Sequence, residues 1–380
     1  MAITAKIDVG DQGLLVSLES FFRSILQLED ISAILVPQRL PTKNIIMPML
    51  VTDPSYLNNT DPIAPCFPMN TAKLVSRLTR KPICGKIVAV LRPCEIRAFV
   101  ELVKLNQGRA DEVVLIGMDC LGAYGNRDYF QFAGDDVNKS TTRFLESTLS
   151  KNGSQVDGFE LAQACKACER PIPYGADVLI GLLGIDYRDH VMVQSRSPSG
   201  EDIIGRLELD AMKEPPARKG AIEALVAGRI AFRDKMFAET AEDTDSLEKL
   251  AILFANCVNC YNCRIACPVC YCRECVFVTD VFDHYPSQYL EWSRRKGAIK
   301  MPTDTLFYHI TRLAHMSTAC VGCGQCSNAC PNDIPVMELF RTISERTQKA
   351  FDYEAGRSIH EHPPLSEFRE EEFADVEGIN

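Results

Sequence analysis

Cysteine is the residue type in this chain whose spacing dictates chemistry. There are 17 in 380 residues, and 11 of them fall between Cys257 and Cys330. Cys257, Cys260, Cys263 and Cys267 form a Cys-x2-Cys-x2-Cys-x3-Cys run closed by Pro268. Cys320, Cys323, Cys326 and Cys330 repeat it, closed by Pro331. Two-residue gaps let three thiolates reach three irons of one cubane from a single loop. The fourth, after a longer gap and before proline, points away and ligates the other cluster. This crossover predicts one [4Fe–4S] cluster on Cys257, Cys260, Cys263 and Cys330, and a second on Cys320, Cys323, Cys326 and Cys267. Structural zinc favours two separated Cys-x2-Cys pairs around one tetrahedral ion, and neither run has that form.

Cys270, Cys272 and Cys275 follow the first run directly. They either ligate a further cluster, replace one ligand of the first, or are fortuitous buried thiols; spacing alone leaves these open. In the first half, Cys94 follows an apolar run at 87–91, Cys120 follows another at 113–117, and Cys165 and Cys168 form a Cys-x2-Cys pair. If the two runs are parallel strands, Cys94 and Cys120 sit at the carboxyl edge, where open α/β sheets bind ligands. These four thiols are candidates for a third cluster. Cys66 and Cys84 have no assigned partner and read as buried free thiols.

The elements that must position these residues are legible in part. Residues 86–118 form a βαβ unit: a strand at 87–91, a turn at Arg92, Pro93 and Cys94, an amphipathic helix over 95–105, and a strand at 113–117. Such a crossover makes the two strands parallel. Further strands are expected at 31–36, 45–51, 178–183 and 191–193, with Pro48 demoting the second to an edge. A helix is expected over 71–79. Residues 135–160 read as a polar loop with one helix, and 217–253 as a charged, alanine-rich helical segment joining the halves. A helix over 304–316 separates the cysteine runs and carries His309 and His315, which read as packed or capping rather than ligating.

The net charge of −10 argues against a nucleic-acid partner, because no basic excess exists to displace counterions. No apolar run approaches the roughly 20 residues that span a bilayer, and the N-terminus lacks a signal-peptide core. Disulfides do not suit a long chain without a secretory signal, so a cytoplasmic protein is expected. Glu361, Glu367, Glu370, Glu371, Glu372, Asp375 and Glu377 face one Arg369 in a tail that reads as solvated.

Three stretches together carry a resemblance: Arg92-Pro-Cys-Glu-Ile-Arg-Ala98, Ile116-Gly-Met-Asp-Cys120, and Cys165-Lys-Ala-Cys168 running on to Ala176-Asp-Val-Leu-Ile-Gly181. They resemble the beta subunits of coenzyme F420-reducing hydrogenase and F420-dependent formate dehydrogenase. The second half, with 52 residues between Cys267 and Cys320, resembles the α-helical ferredoxin domains of succinate dehydrogenase iron–sulfur subunits and heterodisulfide reductase small subunits. The first resemblance implies FAD, a cluster beside it on Cys94, Cys120, Cys165 and Cys168, and two-electron exchange with coenzyme F420. It places Arg92, Pro93, Glu95, Arg97, Ala176, Asp177, Gly181 and Gly184 near the flavin. Two departures stand out. The ferredoxin runs follow the flavin domain, and Arg92 and Glu95 occupy positions where many relatives carry smaller or neutral residues. The choice between F420 and NAD(P) is therefore open. No Gly-x-Gly-x-x-Gly run marks a phosphate site. Lys73, Arg77, Arg80, Lys81 and Lys86 form a basic cluster that reads either as an anion site or, more plainly, as a solvated helix face.

The expected architecture is an α/β flavin domain with a partly parallel sheet (1–240), an α-helical two-cluster ferredoxin domain (241–350) and an acidic tail (351–380). No acid–base pair or nucleophile motif stands out, so the chemistry implied is hydride exchange at a flavin and one-electron relay through clusters. The expected partners are the formate dehydrogenase, hydrogenase or heterodisulfide reductase-like subunits of an anaerobic redox complex. The alternative is a ferredoxin-type relay subunit with no coenzyme site of its own. A redox-sensing regulator is a third reading, disfavoured because no DNA-binding element is present.

Overall fold

A computed structural model describes residues 3–41, 45–134, 137–150, 155–156 and 158–367. Its strands are β1 (Thr4–Asp8), β2 (Ile31–Arg39), β3 (Ile46–Val51), β4 (Lys86–Leu91), β5 (Val113–Met118), a short hairpin of β6 (Gln155–Val156) and β7 (Phe159–Glu160), then β8 (Val178–Gly181) and β9 (His190–Ser195). Seven of them form one sheet in the order β1-β9-β8-β5-β4-β2-β3. The central four, β2, β4, β5 and β8, are parallel. The outer pairings are antiparallel. β3 is the edge strand that Pro48 requires, because a missing N–H is harmless on the open side.

Successive residues of β4 and β5 feed opposite faces, as the pleat demands. Val88, Val90, Val114 and Ile116 enter the core under α1 (Leu14–Leu26), whereas Ala89, Leu91, Val113 and Leu115 enter the core on the other side. Both faces are covered, so these strands are almost continuously apolar. Neither β1 nor α1 was anticipated above, although Leu14, Leu18, Phe21, Phe22 and Ile25 carry a helical stripe, all of it buried.

The remaining helices are α2 (Ala72–Leu78), α3 (Pro93–Lys104), α4 (Asn126–Ala133), α5 (Val137–Ser150), α6 (Gln163–Lys166), α7 (Pro198–Arg206), α8 (Pro216–Asp243), α9 (Leu247–Leu253), α10 (Asn262–Ala266), α11 (Pro286–Lys296), α12 (Thr305–Met316), α13 (Gln325–Asn328) and α14 (Val336–Ala350). The joining segment at 217–253 breaks into α8 and α9, with the Ser246 hydroxyl accepting from the Lys249 N–H at 3.2 Å to cap the second. The polar stretch at 135–160 holds one helix, α5, as expected, followed by the short β6–β7 hairpin, and α4 lies just before it. Among the described residues no helix is long and apolar enough to cross a membrane.

The two halves share one core. Ile96, Phe99 and Leu102 of α3 pack with Phe254, Met316, Val321, Leu339, Phe340 and Tyr353. Along the same seam Arg97 donates to the carbonyls of Ala355 (3.0 Å) and Val321 (3.2 Å). The buried Glu101 carboxylate accepts from Tyr353 Oη at 2.7 Å and from the Gly356 N–H at 2.6 Å. Gly356 has φ of 78°, and a Cβ there would lie 2.4 Å from that of Arg97, so only glycine fits. The segment from Tyr353 to Gly356 thus clamps the ferredoxin half onto α3. Most of the acidic cluster, from Arg369 and Glu370 to Glu377, lies outside the described residues.

Candidate metal centres

All 17 cysteines are free thiols, and the loops that carry the two runs adopt the same unusual backbone. Asn259 and Tyr261 in the first run have φ of 51° and 60°, and Gly322 and Gly324, at the equivalent positions of the second, have φ of 70° and 77°. Left-handed residues flank the second cysteine of each run and turn the loop into α10 and α13, which carry the third cysteine. Glycine meets this requirement without strain; Asn tolerates it, and Tyr261 is the outlier.

The thiols gather in three groups, visible in the charges each feels. Burial pushes the Cys257 thiol up, and the neighbouring Cys263, Cys260 and Cys330 push it further. Burial holds Cys326 well above its ordinary range, followed by the effect of Cys267, with Cys323 and Cys320 adding to it. Cys165 is pushed up to about 11 by burial and then by Cys120 and Cys168. Cys94 is held well above its ordinary range by burial, then by Cys323, with Cys120 and Cys168 also near. Cys330 of the second run thus lies near Cys257, and Cys267 of the first run near Cys320, Cys323 and Cys326. The first-half group touches the Cys320 group through Cys94 and Cys323.

Cys270 is pushed up to about 11 by burial and by its neighbours Cys267 and Cys272. Cys272 itself is exposed. Cys275 packs elsewhere, with Tyr261, Cys263 and Phe277, so these three thiols do not form a group of their own. Cys66 is buried in the α1 core, its thiol pushed up to about 11 by burial. Cys84, expected to be buried, is exposed at the turn before β4.

Among the described residues no three His, Cys, Asp or Glu side chains close on one point as ligands of a single ion. The charge of the surroundings fits a bound cluster. Arg312 of α12 is 4% exposed, and its Nη1 donates to Cys263 Sγ at 3.1 Å and its Nη2 to the Cys263 carbonyl at 3.2 Å. Among the described residues it forms no ion pair with a carboxylate. The thiols of Cys263, Cys267 and Cys326 are among the groups that hold its proton. A buried guanidinium needs a compensating negative charge, and thiolates bound to iron supply one where neutral thiols do not. His309 stacks on Phe254 at 3.7 Å, with Nε2 3.4 Å from Cys257 Sγ; burial lowers its pKa to about 3. His315 is exposed.

Further arginines, not anticipated above, brace the cysteine loops. Arg218 pairs with Asp119 inside the protein, with its Nη2 2.9 Å from Oδ1. Asp119 Oδ2 also accepts from the N–H groups of Leu182 and Leu183, which fixes the turn into Cys120. Arg229 of α8 donates to the carbonyls of Cys120 (3.2 Å) and Cys168 (3.5 Å). Arg341 of α14 pairs with Glu169, tying the loop after Cys168 to the Cys320 run. The one sequence signal for these contacts is an acid beside a cysteine: Asp119 before Cys120 and Glu169 after Cys168.

The residues expected around a flavin have other partners. Pro93 opens α3, and the Glu95 carboxylate accepts from the N–H groups of Arg92 (2.9 Å) and Thr71 (2.7 Å), a helix-capping role. Arg92 donates to the carbonyls of Ala64 and Cys66. Arg97 holds the seam described above. Ala176 is buried beside α3, and Asp177 accepts from the Leu115 N–H and from Ser197 Oγ. A Cβ on Gly181 or Gly184 would strike Arg218. The cavity at the sheet edge beside Arg92 and Cys120 measures about 20 Å³, space for about one water. These residues do not fit a flavin dinucleotide. Of the basic cluster, Arg77, Arg80 and Lys81 are exposed, Lys86 pairs with Asp30, and Lys73 donates to the Ile265 carbonyl beside the Cys267 loop.

Residues 315–336 match the 4Fe-4S binding domain family, spanning the whole second run. The chain is 28% identical over 369 residues to the F420-dependent formate dehydrogenase subunit beta of Methanocaldococcus jannaschii, covering 91% of this chain and 92% of that protein. It is 26% identical over 346 residues to the F420-dependent formate dehydrogenase 1 subunit beta of Methanococcus maripaludis, covering 84% of each. A chain of the F420-reducing [NiFe] hydrogenase complex from Methanosarcina barkeri superposes with a TM-score of 0.45 and 14% identity, over 65% of this chain and 94% of that one. The chain is thus similar along nearly its whole length to formate dehydrogenase beta subunits, and it carries a 4Fe-4S binding domain.

Proposed function

We propose that this chain is the iron–sulfur subunit of a cytoplasmic oxidoreductase complex, of the F420-dependent formate dehydrogenase beta type. It passes electrons between a hydride-carrying coenzyme, F420 or a nicotinamide, and a catalytic partner subunit. The ligand sets are Cys257, Cys260, Cys263 and Cys330; Cys267, Cys320, Cys323 and Cys326; and Cys94, Cys120, Cys165 and Cys168. When bound, the clusters supply one-electron steps. FAD belongs to this reading through the similarity alone, and no step is assigned to the residues first associated with it.

The observation that carries the reading is Arg312, a buried cation that donates to the thiol and carbonyl of Cys263 and whose charge is also favoured by the thiols of Cys267 and Cys326. The chain's own residues do the rest. Arg229 and Arg218 hold the Cys120 loop, and Arg341 and Glu169 hold the first-half and second-half loops together. Counting iron, sulfide and flavin on anaerobically prepared protein tests it. Iron and sulfide for three cubanes are expected; colourless protein holding zinc sinks the reading.

The relay reading without a coenzyme site gains one specific support: the internal engagement of Arg92, Glu95, Arg97 and Asp177. Reduction of the isolated chain's clusters by F420H2 or NAD(P)H, with no partner present, would rule that version out.

A further inference from the structure

The chain carries a net charge of −10, yet five cations gather unpaired beside its first cysteine loop. Arg77 of α2, and Arg80 and Lys81 just after it, are exposed. Lys73, one turn before Arg77, donates from Nζ to the Ile265 carbonyl at 3.1 Å. Arg264 precedes Ile265 on α10, and Arg77 and Arg264 both repel the Lys73 ammonium, which places these three in one patch. Among the described residues none of the five pairs with a carboxylate. Neighbouring cations of the fold do: Lys86 with Asp30 at 3.1 Å, and Arg109 with Glu112 at 3.7 Å. Glu112 meets this surface through the Ile83 N–H at 3.3 Å, but Arg109 already holds it. Like charges held side by side disfavour the folded chain, so a counter-charge from outside is what the patch lacks.

Its position gives that counter-charge a use. Ile265 lies midway between Cys263, of one ferredoxin ligand set, and Cys267, of the other. It is 65% exposed, and Cys260 of the same run is exposed too. The patch therefore borders a cysteine loop that reaches the surface. Permanent subunit interfaces are rich in apolar area, whereas transient electron-transfer contacts are small and steered by charge. Residues 57–129, which supply four of the five cations, expose no large apolar side chain. That composition suits a brief encounter and not a permanent joint.

We propose that this patch docks an acidic, soluble iron–sulfur carrier protein of the ferredoxin kind, with Arg77, Arg80 and Lys81 steering it onto the loop at Ile265. Each encounter moves one electron and no proton: the carrier is oxidised by one, and the chain is reduced by one. The remaining acidic surface repels such a carrier, so docking is confined to the patch. The electron transfer rests on the relay reading; the docking does not.

An acidic [2Fe–2S] ferredoxin is the probe, because its EPR signal differs from that of cubanes. Calorimetry reads binding of the oxidised probe to the anaerobic holoprotein, and rapid-freeze EPR reads the electron passed by the reduced probe. Binding and transfer should both weaken about tenfold between roughly 0.05 and 0.5 M salt, as screening shortens the reach of the charges. Arg77→Glu combined with Arg80→Glu should weaken both about tenfold at low salt and match the parent at high salt. Lys219→Glu combined with Lys235→Glu, two exposed positions on α8, changes the net charge equally and should leave both unchanged. Absence of saturable binding, salt-independent binding, or equal loss in the two double variants overturns the proposal. So does failure of the Arg77 and Arg80 double variant to co-purify with the catalytic subunit, which would make the patch a permanent joint. Iron and sulfide are counted on the same samples, so failure of the relay reading registers separately from failure of the docking site.

Discussion

Arg312 Nη1 lies 3.1 Å from Cys263 Sγ, although the two residues are 49 positions apart. The same guanidinium feels the thiols of Cys267 and Cys326, which belong to the other ferredoxin group. It therefore stands between the two groups as a shared cation and a hydrogen-bond donor to sulfur, and both properties raise the potential of a bound cluster.

Replacing Arg312 by Met should lower the potential of the Cys257–Cys330 centre by on the order of 60–120 mV, the equivalent of one charged hydrogen bond for a one-electron couple. Arg312→Lys, which keeps the charge and loses the fork, should fall between. EPR-monitored redox titration reads both shifts; unchanged potentials in Arg312→Met would refute the role assigned to it.

The crossover makes a sharper claim. Cys330→Ala should abolish the same spectroscopic centre as Cys257→Ala, and Cys267→Ala the same centre as Cys320→Ala, each with loss of one cluster's iron. If Cys330→Ala instead matched Cys320→Ala, each run would serve its own cluster and the pairing would be wrong.

How much of this was readable in advance follows from distance along the chain. Ligand spacing is local, so the runs from Cys257 and Cys320 were legible, as were the strands that end near Cys94 and Cys120. Long-range partners were not: Arg218 reaches Asp119 across 99 residues and Arg229 reaches Cys120 across 109, and nothing near α8 marks which of its arginines turn inward. Glu95 and Gly184 show a different limit. Both lie in motif-like stretches, yet one caps α3 and the other admits Arg218, and a pattern does not tell packing from ligand contact. Cys84 was misjudged because an isolated cysteine carries no signal of exposure.

The Arg218–Asp119 pair is almost fully buried, at 3% and 0% side-chain exposure. Removing one partner strands the other charge, at a cost of roughly 3–5 kcal/mol. Arg218→Met should therefore lower the unfolding midpoint of the α/β half strongly. It should also deplete the Cys94 centre before the two ferredoxin centres, because Asp119 fixes the turn into Cys120. Equal loss of all three centres would indicate general unfolding rather than a local brace.

Asp30 supplies a contrast at the opposite edge of the sheet. It precedes β2 and pairs with Arg206 at 2.7 Å and Lys86 at 3.1 Å. The hydrogen bond from Arg206, with Lys86 assisting, lowers its pKa from 3.8 to about 2. A carboxylate depressed on folding contributes stability above its unfolded pKa and loses that contribution as pH falls through the folded value. Asp30 is more than a third exposed, so solvent screening limits the gain to about 1 kcal/mol or less. Asp30→Asn should be less stable than the parent by that amount near pH 6, with the gap shrinking from about pH 4 and closing near pH 2. Because parallel sheets carry their ligands at the carboxyl edge, and Asp30 sits at the amino edge, iron content should be untouched at neutral pH. A loss of iron in Asp30→Asn would mean that the two edges are mechanically coupled through β2 and β4.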